Sequence, residues 1–243
     1  MAIKSALLTT GSGPIVNSAY KSLRKYSDLR AIIFSKKKKA ASRWKKFCEY
    51  GTWYSLQYFM SRVLNLVSGN MDIRRLLPPE IEVRIWKSKK NQDNLGKWLK
   101  NLNVYLILVC DFPHILPKEF FSKFKFCINI HPSLLPMYRG PNPIIWGLLD
   151  KSYAFGITLH LIDEGIDTGD IICKREIKKP LLPLSIMVEM KLAKVLPELI
   201  KRTIEQIQSA NLHTEKQEGG FYVSFPTLLN RRIRKRKVAE RYH

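Results

Sequence analysis

Phe126-Cys127-Ile128-Asn129-Ile130-His131-Pro132-Ser133-Leu134-Leu135-Pro136-Met137-Tyr138-Arg139-Gly140 is the stretch on which the reading of this chain turns. Phe126–Ile130 is a short apolar run of the length expected for a buried strand. Asn129 and His131 flank Ile130, and the period-two alternation of a strand puts both side chains on the same side. Two prolines and a glycine then give the following loop a fixed shape. Two polar, chemically versatile side chains thus stand at the end of a strand that should be central.

Working outward, further strands are expected at Lys4–Thr9, Ala31–Phe34 and Val104–Val109, and then at Gly156–Asp163 and Ile171–Glu176. Ile81–Trp86 alternates apolar and charged residues like an edge strand. Helices are expected at Ile15–Lys25, Asn91–Lys100 and Leu184–Ser209, the last with Pro197 as a candidate kink. Trp44–Leu66 reads as an amphipathic, aromatic-rich helix carrying Phe47, Tyr50, Tyr54, Tyr58 and Val63, with a break at Gly51. Strands alternating with helices indicate an α/β fold, a Rossmann-like doubly wound and mostly parallel sheet covered on both faces. Such sheets bind ligands beyond the C-terminal ends of their strands, which is where Asn129 and His131 fall. The expected organisation is a unit over 1–209, with a basic and aromatic insertion at 36–76. A short C-terminal extension, 210–243, then carries one short strand within Gly219–Thr227 and a basic tail.

The chain has 243 residues, 42 Lys and Arg against 20 Asp and Glu, and a net charge of +22. With 45% hydrophobic residues it reads as globular and not as a disordered polycation. The sequence contains no apolar run of the roughly 18 residues that a membrane span needs. Met1–Leu8 is too short an apolar stretch for a signal peptide, so a cytoplasmic location is expected. Cys48, Cys110, Cys127 and Cys173 form no C-x-x-C pair; no metal site is expected, and Cys110 and Cys127 read as buried thiols. The charge is uneven. Lys36–Lys46 contains seven basic residues and no acid, and Arg231–Arg241 contains seven against Glu240 alone. Such patches attract polyanions by neutralising phosphates, or are simply solvated.

Asp163-Glu164-Gly165-Ile166-Asp167-Thr168-Gly169-Asp170 is an acidic, glycine-punctuated loop between two strands. An Asn, a His and an Asp from separate segments suit acyl transfer. The amide donates to a developing oxyanion, the imidazole moves a proton near neutral pH, and the carboxylate orients the imidazole and favours its cation. No Ser or Cys nucleophile is required when the attacking group is the substrate's own amine. The alternative is a polar strand end capped by loop residues. His160, on an inner strand, reads as structural. Arg139 reads equally as an anion contact or as a brace for its loop. Gly11-Ser12-Gly13, after the first strand, could hold phosphate on backbone N–H groups, yet the third glycine of the dinucleotide fingerprint is missing.

The two motifs N-I-H-P-S-L-L-P and D-E-G-I-D-T-G-D-I, in this order within Cys127–Ile172, resemble the core of the folate-dependent formyltransferases. That family includes methionyl-tRNA, glycinamide ribonucleotide and sugar-nucleotide N-formyltransferases. The resemblance is strong over about 46 residues and extends, in strand pattern, over Lys4–Ser209. It implies 10-formyltetrahydrofolate as donor and a primary amine as acceptor. It assigns catalysis to Asn129, His131 and Asp167, with Asn129 and protonated His131 stabilising the oxyanion and Asp167 supporting the His charge and a proton relay. It places the folate near Ile115, Leu116, Ser133, Leu134, Leu135, Pro136, Asp163, Glu164 and Gly165. Gly11, Gly13 and Arg139 become candidate acceptor contacts.

The acceptor is the open question. A basic insertion after the second strand engages the tRNA acceptor arm in methionyl-tRNA formyltransferases, and Lys36–Lys46 falls at that place. The roughly 33 residues after Ser209 are too few for the β-barrel domain those enzymes carry. Initiator tRNA, held through Lys36–Lys46 and Arg231–Arg241, ranks slightly ahead of nucleotide-linked amino sugars or glycinamide ribonucleotide. A formyl-folate hydrolase is a minor option. A degenerate, non-catalytic nucleic-acid-binding relative is the reading from another class, and the intact Asn129, His131 and Asp167 speak against it.

Overall fold

A computed structural model of the chain describes residues 2–36, 43–67, 72–87, 91–152 and 154–239. Among these, seven strands form one sheet in the order β3-β2-β1-β4-β5-β6-β7. They are β1 (Lys4–Thr9), β2 (Asp28–Ser35), β3 (Glu82–Trp86), β4 (Leu106–Cys110), β5 (Phe126–His131), β6 (Ala154–Leu161) and β7 (Ile171–Lys178). The helices are α1 (Pro14–Tyr26), α2 (Arg43–Val67), α3 (Gln92–Asn101), α4 (Lys118–Phe121), α5 (Pro143–Leu149), α6 (Ser185–Gln208) and α7 (Leu228–Ala239).

The first five strands pair in parallel. β6 then runs antiparallel to both β5 and β7. The sheet is therefore mostly parallel, as expected, but its last two pairings are not. After α5 the chain returns beside β5 in the opposite direction, without the full crossover that a parallel neighbour requires. One consequence bears on the site: in the antiparallel register Asn129 lies opposite His160, and His131 opposite Thr158.

β1 and β4 hold almost entirely buried side chains, as strands covered on two faces must. One core gathers Leu7, Ile32, Leu108 and Ile130 with Ala19 and Leu23 of α1 and Leu192, Leu196 and Ile200 of α6. The other gathers Leu8, Ile33, Ile107 and Val109 with Leu95 and Leu99 of α3 and Phe120 of α4. β3 is an edge strand, with Val83 and Ile85 exposed.

α2 is broken at Gly51, whose φ of 79° lies in the left-handed region that favours glycine. α6 continues as one helix through Pro197, where a kink was a candidate. Leu196, Leu199 and Ile200 beside the proline are buried, and this packing outweighs the missing backbone hydrogen bond. Among the described residues the C-terminal extension forms no strand; Tyr222 makes a single bridge to Arg139, and the basic tail is helical as α7. Much of the first basic run, residues 37–42, lies outside the described residues.

Leu192 is fully buried between α1 and the sheet. Leu192→Ala should cost about 2–5 kcal/mol, the range for truncating a buried leucine. Urea unfolding checks this: the midpoint should fall while the denaturant slope stays constant.

Candidate active site

The strand order reverses between β1 and β4, so the loops after them open a crevice at the C-terminal edge of the sheet. β5, next to β4, ends in the same place. Asn129 and His131 share one face of β5, and the β6–β7 loop brings Asp167 to them. Asn129 Nδ2 donates to Asp167 Oδ1 at 3.0 Å. His131 Nδ1 lies 3.4 Å from Asp167 Oδ2, and the Gly140 N–H donates to that same oxygen at 2.9 Å. The three residues expected to act together do meet.

His160, read from the sequence as structural, joins them. Its Nε2 lies 3.1 Å from Asn129 Nδ2 and 3.5 Å from Asp167 Oδ1. Its Nδ1 lies 2.7 Å from the Leu161 carbonyl, which can only accept, so Nδ1 carries a hydrogen. In the neutral ring Nε2 is then the acceptor for Asn129. Both amide hydrogens of Asn129 are thereby engaged, one by Asp167 and one by His160. The signal for His160 was one imidazole in an otherwise apolar inner strand. Its partner was hidden because the antiparallel register is not visible in sequence.

His131 is buried, and its Nε2 donates to the Tyr138 carbonyl at 2.9 Å. Nδ1, facing Asp167, is then the nitrogen that can receive a proton. Burial lowers the pKa of His131, and the Asp167 charge and the Tyr138 carbonyl only partly oppose this. Burial thus disfavours, in the resting site, the cation that the resemblance assigns to His131 during catalysis. Burial raises the Asp167 pKa. In their cationic forms His160, by hydrogen bond and charge, and His131, by charge, together with the Gly140 N–H, outweigh that and bring it to about 2.

The remaining candidates divide. Ser133 and Leu135 are buried and serve the loop itself: Ser133 Oγ donates to the Met137 carbonyl, and the Leu135 N–H donates to Thr158 Oγ1. Leu134 packs against Gly156, and the Leu135–Pro136 peptide is cis. Ile115 is exposed and Leu116 buried in the core. Asp163 closes its own turn by accepting from Thr168 Oγ1 and the Gly165 N–H. Glu164 pairs with Lys118 at 2.5 Å, which ties the loop after β4 to the loop of Asp163–Asp167. The two segments expected to border the folate are thus neighbours, and each exposes an isoleucine, Ile115 and Ile166.

Arg139 braces. Its Nε donates to Gln217 Oε1 at 3.0 Å, and its backbone N–H and carbonyl bond to Phe221 and Val223. The partner is an amide of the C-terminal extension and not an acid. Gly11 and Gly13 make a poor phosphate cradle. The amides of Thr10 and Gly11 already donate to the Asp111 carbonyl and Thr9 Oγ1. Thr10 Oγ1 also bonds the Asp111 carboxylate, and Glu189 approaches Gly13. Asp111 keeps contact with solvent, but protein atoms surround its carboxylate and raise its pKa. Burial and then the charge of Asp111 push Glu189 up to about 7. Two carboxylates beside the turn repel an anion. No group of His, Cys, Asp or Glu suited to a metal occurs among the described residues.

Residues 3–179 match the formyl transferase family, and the chain belongs to it. It is 37% identical over 133 residues to a methionyl-tRNA formyltransferase of Caldanaerobacter subterraneus subsp. tengcongensis, covering 54% of this chain and 43% of that protein. It is 39% identical over 132 residues to the methionyl-tRNA formyltransferase of Thermodesulfovibrio yellowstonii, again covering 54% and 43%. The matched region thus spans less than half the length of these curated relatives. The fold is that of a 4-N formyltransferase from Francisella tularensis, with a TM-score of 0.60 and 24% identity over 92% of this chain and 76% of that one. It is also that of phosphoribosylglycinamide formyltransferase from Bacillus halodurans, with a TM-score of 0.60 and 19% identity over 85% and 95%.

Glu189 has a stability signature. Its raised folded pKa means the folded state holds a proton between the ordinary glutamate value and about 7 that the unfolded chain releases. Stability should therefore fall as pH rises through this window. Glu189→Gln removes the effect and should stabilise by about 1–3 kcal/mol at pH 8 and by little at pH 4.5. Urea unfolding at the two pH values measures the difference.

Proposed function

We propose that this chain transfers a formyl group from 10-formyltetrahydrofolate to a primary amine. The observation that carries the reading is the Asp167 carboxylate, held between the Asn129 amide, the Gly140 N–H and two imidazoles at the C-terminal edge of the sheet. A sugar 3-N-formyltransferase of this fold has been solved with 5-N-formyl-THF, and HypX from Aquifex aeolicus with tetrahydrofolate. The linked loops 111–118 and 163–167, with their exposed isoleucines, suit a flat, partly apolar ligand edged by backbone groups.

The folate supplies the formyl group; the chain supplies proton handling and charge stabilisation. As the acceptor amine bonds to the formyl carbon, neutral His131 takes the amine's proton on Nδ1 and gives it back to the tetrahydrofolate nitrogen as its bond to that carbon breaks; in between, the imidazolium has a charge-assisted contact with Asp167. Asp167, ionised down to about pH 2, never competes for that proton at neutral pH. In the resting geometry Asn129 has no N–H to spare for an oxyanion. For an amide hydrogen of Asn129 to reach the formyl oxygen, its contact with His160 Nε2 or with Asp167 Oδ1 must give way.

Methionyl-tRNA is the first acceptor to test, on the relatives' names and on the basic run after β2. Two observations favour a small amine instead. Two of the tail's basic residues, Arg231 and Arg234, are engaged by the Tyr50 carbonyl and by Asp150. The acids beside Gly11–Gly13 add a cation-attracting patch to the crevice. A panel of methionyl-tRNA, glycinamide ribonucleotide and nucleotide-linked amino sugars separates the readings. With tRNA as acceptor, kcat/KM should fall steeply between low and physiological salt; with a small amine it should change little. No transfer to any acceptor, with salt-sensitive RNA binding, would instead indicate the non-catalytic reading.

Two further outcomes test the mechanism. Asp167→Asn should lower kcat by about 10²-fold or more while folate affinity holds within a few-fold. Unchanged turnover would remove Asp167 from the chemistry. The acid limb of kcat/KM should lie below the ordinary imidazole value, because burial keeps His131 neutral to lower pH. A pH–rate profile checks it.

A further inference from the structure

Gln217 lies between α6 and α7, beyond the residues that match the family. Its side-chain amide makes three hydrogen bonds. Nε2 donates to the Asp167 carbonyl at 3.0 Å and to the Gly169 carbonyl at 2.7 Å, and Oε1 accepts from Arg139 Nε at 3.0 Å. Only this orientation pairs every atom with a complementary partner, so the assignment of O and N is unambiguous.

These bonds join two segments that act on the same imidazole from opposite sides. The Tyr138–Gly140 segment gives His131 Nε2 its carbonyl acceptor and gives Asp167 Oδ2 the Gly140 N–H. The Asp167–Gly169 segment carries the carboxylate that faces His131 Nδ1. Asp167 itself sits at a φ of 55°, a left-handed conformation that a non-glycine residue keeps only where its surroundings impose it. The bond from Gln217 to the Asp167 carbonyl is one such imposition.

The extension is itself fixed on either side of Gln217. Glu215 exchanges both backbone bonds with Ile171, and Arg139 bonds to Phe221 and Val223. Further on, the Arg234 guanidinium sits 4.5 Å from the Phe221 ring centroid and pairs with Asp150. A side chain on Gly140 would collide with the Val223 carbonyl, which shows how closely the extension lies on the loop. The amide of Gln217 is therefore presented from a firm base.

We propose that Gln217 is a positioning residue of the active site, holding the Asp167 carboxylate and the Tyr138 carbonyl in register on His131. This rests on the formyl-transfer reading for its kinetic consequence but not for its structural one. The functional unit accordingly runs past Ser209, through the extension.

The test uses the full chain with Gln217→Leu, which puts an apolar side chain there and loses all three bonds, and Gln217→Glu, which presents oxygen to both carbonyls. The side-chain 15N resonances of His131 are titrated by NMR, and kcat and KM are measured with the best acceptor of the panel. In Gln217→Leu the His131 titration should move to lower pH as its counter-charge loosens. Its kcat should fall about 10–100-fold with the folate KM within about threefold, the cost of a small misplacement. Gln217→Glu should impair kcat at least as much. An unshifted His131 titration in a folded Gln217→Leu chain overturns the proposal, as does an unchanged kcat. Should Gln217→Leu not fold, Gln217→Asn, one methylene too short to reach both loops, gives the same readouts. If the wild-type chain transfers no formyl group to any acceptor, the formyl-transfer reading falls, and the NMR titration alone decides the role of Gln217.

Discussion

A single carboxylate on a left-handed residue organises the whole C-terminal edge of this protein. Asp167 has two oxygens, and each accepts one N–H and faces one imidazole: Asn129 and His160 at Oδ1, Gly140 and His131 at Oδ2. The donors come from β5, β6 and the loop after β5, so three parts of the chain must arrive together for the charge to be satisfied. A half-buried carboxylate without these partners would be expelled or protonated. With them its pKa falls to about 2, against the upward pull of burial. The antiparallel return of β6 is what makes the arrangement possible, because it sets His160 opposite Asn129.

The same constraint explains the shape of the extension. Arg139 and Gln217 stitch the loops from outside, and a cation–aromatic cluster secures the strap that carries them. Arg234 lies within 6 Å of the ring centroids of Phe221, Trp146 and Tyr138 and pairs with Asp150 at 2.5 Å. Trp146 donates to the Ser224 carbonyl, and the Tyr138 hydroxyl to Asp150. Burial and the Asp150 charge push that phenol up to about 12, so it remains a donor at any relevant pH. Part of the tail's positive charge is thus structural. This bears on how the net charge of +22 is read, since two of the basic residues that looked like a nucleic-acid patch hold the protein together.

Much of this was legible beforehand, and the reasons are specific. The apolar strands β1, β4 and β5 are short, uninterrupted and bounded by turn residues, so periodicity placed them within a residue or two. Gly51 marked the break in α2 because a glycine in an amphipathic run invites one. Asn129 and His131 were paired by strand alternation alone, and Asp167 by resemblance. Features that rest on long-range contacts escaped, the β5–β6 register that brings His160 to Asn129 among them. α7 was not separable from a solvated basic tail, since its apolar content is low and what anchors it is Arg231 on the Tyr50 carbonyl and Arg234 among three rings from distant segments. Gln217 carried no signal at all, because a lone glutamine in a polar stretch is indistinguishable from solvent-facing loop.

The sequence by itself determined the layers, the strand end that carries Asn129 and His131 and the family motifs, because these depend on local period and on residues a few positions apart. It also determined that Asn129 and His131 share a face, since that follows from the pleat. Only the tertiary structure decided the proton inventory. Whether His131 rests neutral depends on burial by elements far away in the chain, and which hydrogens Asn129 can offer depends on a register between β5 and β6. Whether an arginine of the tail meets a polyanion or a ring depends on where α7 docks. Each of these is a long-range contact, and local patterning does not encode such contacts.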